Sequence, residues 1–131
     1  YTADLRQDPY FRWLDKYFLL LQIPLGLTLY LIGGWSLVLW GIPLRLVVVY
    51  HVTWLVNSAT HTWGERPYDT DDNSRNNKWV AALTFGEGWH NNHHAYPSSA
   101  KQGLQRGQID LTWYHIVLLK KLGLATNIRI F

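Results

Sequence analysis

Residues 17 to 60 read YFLLLQIPLGLTLYLIGGWSLVLWGIPLRLVVVYHVTWLVNSAT. One charged side chain, Arg45, interrupts this stretch, and every other charge of the chain lies before or after it. A predominantly apolar helix of about 17 to 25 residues crosses the hydrocarbon core of a bilayer, and the stretch has room for two. Gly33-Gly34 and Gly41-Ile42-Pro43 punctuate it, because glycines and prolines disfavour one uninterrupted helix. The reading is an all-α membrane protein built on a two-span transmembrane helical hairpin, with spans from Tyr17 to Ile32 and from Pro43 to Thr60. Residues 1–16 form a juxtamembrane segment, 17–60 the hairpin and 61–131 a polar helical cap. Mean hydropathy over the whole chain is slightly negative only because it averages this apolar block with a polar tail.

Details inside the block follow from the same reading. Pro24 removes a backbone donor and is expected to kink the first span. Trp13 and Trp63 mark one pair of ends, Trp35 and Trp40 the other, as interfacial aromatic belts do. Arg12, Lys16, Arg66, Arg75 and Lys78 flank one side, whereas the connection from Gly33 to Leu44 is uncharged. The positive-inside bias therefore places both ends of the chain in the cytoplasm. Arg45, two residues past Pro43, is expected to snorkel to the outer interface.

Composition narrows the chemistry. The chain has no cysteine, which excludes thiolate metal sites, disulfides and a cysteine nucleophile. Any metal must be held by nitrogen or oxygen. The formal charge of +3 comes without a basic run, which argues against nucleic acid as a partner. No methionine is present and no signal peptide stands at the start, so the chain is expected to be a fragment with its missing part upstream.

The chemistry gathers after residue 61. Trp63 to Lys78 reads as a loop rich in Asp, Asn, Pro and Gly, followed by a short helix from Trp79 through the histidine cluster. Asp110 is placed to cap a helix that ends at Leu122, with Gly123 as its stop and Leu111, Ile116, Leu119 and Leu122 as an apolar face. The central motif is His90-Asn91-Asn92-His93-His94. Helical positions i, i+3 and i+4 share a face, so three imidazoles converge on a site suited to Fe, Zn, Cu or Ni. A solvated histidine-rich turn is the alternative. Glu87, three residues before His90, is placed to orient a ligating ring or to serve as helix N-terminal charge. Asn57 and His61, four residues apart at the foot of the second span, form a polar pair that suits a ligand set or helix-to-helix hydrogen bonding.

Three motifs in this order, Asn57-Ser58-Ala59-Thr60-His61, Arg66-Pro67-Tyr68-Asp69 and Gly86-Glu87-Gly88-Trp89 leading into His90-Asn91-Asn92-His93-His94, resemble the C-terminal half of the delta-9 acyl desaturases. The likeness runs from Asp8-Pro9 to the tail Gly123-Leu124-Ala125-Thr126-Asn127. It implies a fragment of a four-span, histidine-rich di-iron fold. His90, His93 and His94 resemble the family's last histidine box, and His61 its additional ligand after the fourth span. Asn57 resembles the residue that reaches one iron through water, and Thr53 and Trp54 resemble residues that wall the acyl tunnel near its bend. His51 and His115 match no ligand box and read as structural, while Arg66, Tyr68 and Asp69 resemble a cytoplasmic segment to which no role is assigned. Two earlier histidine boxes of the family are absent, so this chain alone is expected to be inactive.

The implied reaction is O2-dependent insertion of a cis double bond, delta-9 in type, into the fatty acyl chain of a lipid or a CoA thioester. Two iron ions are the implied cofactor, and ferredoxin or a membrane haem protein the electron donor. The Asn91-Asn92 version of the box and Gln108-Ile109-Asp110-Leu111-Thr112-Trp113 resemble acyl-lipid enzymes of cyanobacterial or plastid type. That places the protein in a bacterial plasma or thylakoid membrane, with plastid and endoplasmic reticulum membranes as alternatives. Rival readings are a histidine-box membrane hydroxylase and a non-catalytic membrane protein that binds metal or haem.

Overall fold

The computed structural model describes residues 3–131, and among them regular structure is helical, with only isolated β-bridges. The chain divides into two compact units, residues 1–48 and 49–131.

The first unit opens with helix α1 (Ala3–Gln7) and α2 (Pro9–Tyr17). Asp8 caps α2 by accepting the Tyr10 N–H at 2.8 Å, and Pro9 occupies the first helical position, where its missing N–H costs nothing. Helical turns through Phe18–Leu21 lead into α3 (Gln22–Leu39). The first apolar helix thus begins at Gln22 rather than Tyr17. Pro24 falls in its first turn, where backbone donors have no intrahelical partner. The kink expected there is replaced by one at Gly33 and Gly34, whose dihedrals leave helical space. Gly34, at φ 63° and ψ −160°, adopts a conformation that glycine enters freely.

Across this break residues distant in sequence approach each other. A Cβ on Gly26 would lie 3.6 Å from the Ile42 side chain, and one on Gly41 would lie 2.8 Å from Leu29 Cδ1. Residues 16 apart in a straight helix would stand about 24 Å from each other. The second expected break, at Gly41–Pro43, is absent. The chain passes through Trp40–Leu44 as a π-turn into α4 (Arg45–Ser58). The π geometry accommodates Pro43, and the Arg45 Nε–H donates to the Gly41 carbonyl at 2.9 Å. Among the described residues, the helical run Gln22–His61 is long and apolar enough to cross a membrane.

The second unit carries the end of α4, a 3-10 turn (Ala59–His61), α5 (Lys78–Leu83), α6 (His90–Ala95) and α7 (Leu111–Lys121). The expected single helix from Trp79 through the histidines is two short ones. Asn77 caps α5 through Trp79 N–H (3.0 Å) and Val80 N–H (3.1 Å), and the helix ends where Phe85 (φ 58°) and Gly86 (φ 124°) turn left-handed. Gly88 lets the returning chain touch α5, since a Cβ there would stand 2.0 Å from the Ala81 nitrogen. Asp110 caps α7 as read from the sequence, accepting the Trp113 N–H at 2.9 Å, and its other oxygen accepts Gln102 N–H (2.7 Å) and Gly103 N–H (3.1 Å). Three donors on one buried carboxylate satisfy its charge. No residue of α7 is buried.

Candidate metal centre

His61 and His90 come from segments joined by a miniature ladder. Asn76 bridges antiparallel to Glu65 on one side and to Trp89 on the other. The Glu65 N–H donates to Asn76 O at 3.0 Å, and the Asn76 N–H returns to Glu65 O at 2.7 Å. The Arg75 N–H donates to the Thr60 carbonyl at 2.7 Å, which ties the foot of α4 to the same loop. Trp89, on the far side of the ladder, fixes its ring by donating Nε1–H to Ile109 O at 2.8 Å. The residue after Thr60 and the residue after Trp89 are the first two ligand candidates.

The central asparagines of the histidine motif are its fasteners. Asn91 is fully buried and pairs with the Tyr68 backbone as a strand would, accepting its N–H at 2.9 Å and donating to its carbonyl at 3.1 Å. Asn92, 1 % exposed, accepts from Asn76 Nδ2 at 2.6 Å and donates to Gln102 O and Gln108 Oε1, both at 2.7 Å. The Asn92 N–H, an orphan donor of the first turn of α6, is capped at 3.2 Å by Asn76 Oδ1. With Asn91 and Asn92 pointing into the cap, the histidine side of α6 faces the other way. Tyr68 receives Asn91 through its backbone, and Arg66 donates to Thr70 O at 2.8 Å and pairs with exposed Asp69 at 3.8 Å, so this segment is a braced turn beneath α6.

On that side three ring nitrogens meet. His90 Nε2 stands 3.1 Å from His61 Nε2 and 3.0 Å from His94 Nε2, and the donor atoms of all three lie within 4.8 Å of one another. Two nitrogens bound at right angles to one ion at about 2.1 Å are themselves about 3.0 Å apart. His90 Nε2 carries either one proton or one lone pair, so it satisfies one neighbour at a time and leaves the other close contact unmatched, whereas a divalent cation satisfies all three. Burial, then the rings of His94, His61 and His93, push the His90 pKa down to about 4, so it is neutral near pH 7, the form that ligates.

His93 stands beside this triplet, its ring 6.1 Å from that of His90 and 5.7 Å from that of His94. Its Nδ1 is buried with no hydrogen-bond partner, a costly state for a polar atom unless something binds it. Burial and then His94 lower its pKa as well.

The remaining residues singled out in the sequence are placed differently. Glu87 is exposed, makes no hydrogen bond to a ring, and acts on His93 only through its charge. The carboxylate that does touch a ring is Asp72, whose Oδ2 contacts His94 Nδ1. Nothing in the local sequence flags Asp72, which belongs to a loop far upstream of the motif. Asn57 is exposed and no side-chain hydrogen bond is made by it among the described residues, and between it and His61 the α-helix gives way to the tighter turn Ala59–His61. The Thr53 hydroxyl donates to Val49 O at 2.9 Å within α4, and exposed Trp54 stacks on Tyr50 with ring centroids 6.2 Å apart. His51 packs its ring 5.1 Å from that of Trp54, and His115 Nδ1 lies 2.9 Å from Leu111 O, so neither joins the cluster.

A family model described as fatty acid desaturase matches residues 2–124. The chain belongs to the fatty acid desaturase family. It is 56 % identical over 130 residues to an sn-1 stearoyl-lipid 9-desaturase of Anabaena variabilis, covering 99 % of this chain and 48 % of that protein. It is 56 % identical over 128 residues to an sn-2 palmitoyl-lipid 9-desaturase of Nostoc, covering 98 % of this chain and 45 % of that protein. A chloroplastic palmitoyl-monogalactosyldiacylglycerol delta-7 desaturase of Arabidopsis thaliana is 50 % identical over 129 residues, 98 % of this chain and 35 % of that one. The chain spans about half the length of the first two of these desaturases. The residues present fit the iron that the family uses: converging imidazole nitrogens, a buried nitrogen without a partner, and no thiolate.

Proposed function

We propose that this chain is the C-terminal half of a membrane-embedded acyl-lipid desaturase, and that His61, His90, His93 and His94 hold part of its two-iron centre. The observation that carries this reading is the meeting of three Nε2 atoms from two separate segments beside the unpartnered Nδ1 of His93. The activities of the relatives support a cis double bond at delta-9 in a lipid-bound acyl chain, with an acyl-CoA substrate as the second reading. Cyanobacterial and chloroplastic relatives support a bacterial plasma, thylakoid or plastid membrane.

In the proposed arrangement residues 17–60 form the transmembrane hairpin, which turns at Gly33-Gly34, and residues 61–131 form the cytoplasmic cap. The close approach of Gly26 to Ile42 and of Gly41 to Leu29 supports the hairpin. Bound iron supplies the reduction of O2 and the oxidising power to remove two hydrogens from neighbouring methylenes, with two electrons from ferredoxin or a membrane haem protein. The chain's own contribution is position. Asn91 and Asn92 hold α6 so that His90 and His94 present ring nitrogens to one place with His93 beside them, and the Arg75–Thr60 bond brings His61 to meet them. Asn57 is assigned a contact to iron through water, Glu87 an electrostatic influence on His93, and Thr53 and Trp54 the wall of the acyl tunnel, where shape selects the methylene pair and excludes water.

The test is expression of the full-length protein carrying this chain in a host without the activity, followed by mass spectrometry of the fatty acids in each lipid class. A new cis double bond is expected. A hydroxylated chain would instead favour a histidine-box hydroxylase, and no new product with full iron loading would favour a non-catalytic metal protein.

A further inference from the structure

We propose that Asp72 is a positioning residue of the metal centre, holding the Nδ1–H of His94 so that His94 binds through Nε2, with Asn91 fastening the loop that carries it. The inference rests on the metal-binding reading above and names a residue outside the histidine motif.

Both nitrogens of His94 are accounted for. Nδ1 contacts Asp72 Oδ2, and Nε2 stands 3.0 Å from His90 Nε2 in the triplet. A carboxylate on one imidazole nitrogen fixes the tautomer, stops the ring from flipping and raises the basicity of the other nitrogen. Asp72 is itself held. Its Oδ1 accepts the Ser74 N–H at 2.8 Å and the Thr70 hydroxyl at 3.2 Å, which leaves Oδ2 for the imidazole.

The loop is tied to the helix it serves. Asn91 Nδ2 donates to Thr70 Oγ1 at 3.3 Å and to Ser74 Oγ at 3.4 Å, in addition to its two bonds with the Tyr68 backbone. Asn91 and Ser74 have no exposed surface. One turn of α6 therefore carries both a ligand candidate and the fastener of the carboxylate that orients it. Glu87, the acid next to the motif in sequence, makes no comparable bond.

The experiment uses the full-length protein purified with its native metal, and compares Asp72→Asn, Asp72→Ala and His94→Ala with the parent. Iron per polypeptide, the rate of iron loss to a ferrous chelator, the Mössbauer spectrum, and the melting midpoint with and without metal are measured. Asp72→Ala is expected to weaken iron retention about 10- to 100-fold. The near-isosteric Asp72→Asn is expected to lose less iron and to change the Mössbauer signature of one iron. In both variants the gap between loaded and stripped midpoints should shrink. If the Asp72 variants keep iron as the parent does, or if both midpoints fall together and the gap persists, the positioning role is overturned. If His94→Ala loses iron while the Asp72 variants do not, only the Asp72 inference fails. Should His94→Ala keep all its iron, the metal-centre reading fails with it.

Discussion

In the unit that ends at Val48 large apolar side chains stand exposed, with Leu31 at 74 % and Ile32 at 72 %, and no residue of α3 is buried. In the unit that follows, the most deeply buried large side chains are polar, namely Asn91, Asn92, Thr60 and Ser74. The first arrangement suits a hydrocarbon solvent, in which leucine needs no shelter and the helix satisfies its own backbone. The second is a framework of directional hydrogen bonds that holds imidazoles against one another. Packing in the apolar unit therefore tolerates small changes of shape, whereas the polar unit depends on individual atoms.

The largest effect that would break this contrast concerns the histidines. In the full-length protein His93→Ala is expected to abolish desaturation and to lower bound iron, because no neighbouring imidazole takes its place. Iron analysis beside product analysis checks this, and two irons retained at parental occupancy would remove His93 from the ligand set.

The same Gly→Ala change should read differently in the two units. At Gly88 the new methyl would meet the Ala81 backbone at 2.0 Å, and a cost of about 3 kcal/mol or more is expected. At Gly41 it would meet the flexible tip of Leu29 at 2.8 Å, and a cost below about 1 kcal/mol is expected. Denaturant unfolding of both variants measures the difference, and equal costs would refute the contrast.

Asn92→Ala leaves the Asn76 amide and the Gln102 carbonyl without this partner and removes one of the two donors to Gln108 Oε1. A loss of about 2 to 3 kcal/mol is expected, seen as faster hydrogen exchange in residues 90–95. An unchanged exchange rate would mean that the fastener is dispensable.

The smallest effect is a pH dependence of the metal-stripped protein. The His90 pKa is about 4 in the fold, against 6.5 for an unperturbed histidine. Above pH 6.5 both states are neutral at this position. Between 6.5 and 4 the unfolded chain takes up the proton first, so the stability of the cap should fall as pH falls through that window. Thermal midpoints across the range test the sign.

Much of the candidate site was legible in the sequence. The histidine spacing placed three rings on one side of a short helix, and His61 was marked by its place at the foot of an apolar stretch. Of these four, His61, His90 and His94 form the compact triplet, and His93 flanks it with a buried nitrogen. Asp72 was not legible, because its tie to His94 crosses a loop whose path depends on Asn91. Asn91 and Asn92 read only as a variant of the motif, since nothing local shows that asparagine side chains complete a backbone ladder. The turn at Gly33-Gly34 was visible, but the break expected at Gly41–Pro43 was not made, because a π-turn absorbs the proline without ending the helix.

By itself the sequence determined where the chain is apolar, where glycines interrupt its helix, and which side chains are able to bind a metal, since these follow from composition and from the period of a helix. Tertiary structure alone decided which carboxylate touches an imidazole, which asparagines bear the helix, and that His61 reaches His90. Those outcomes depend on contacts between residues far apart in the chain, and such contacts are set by the joint satisfaction of buried donors and acceptors.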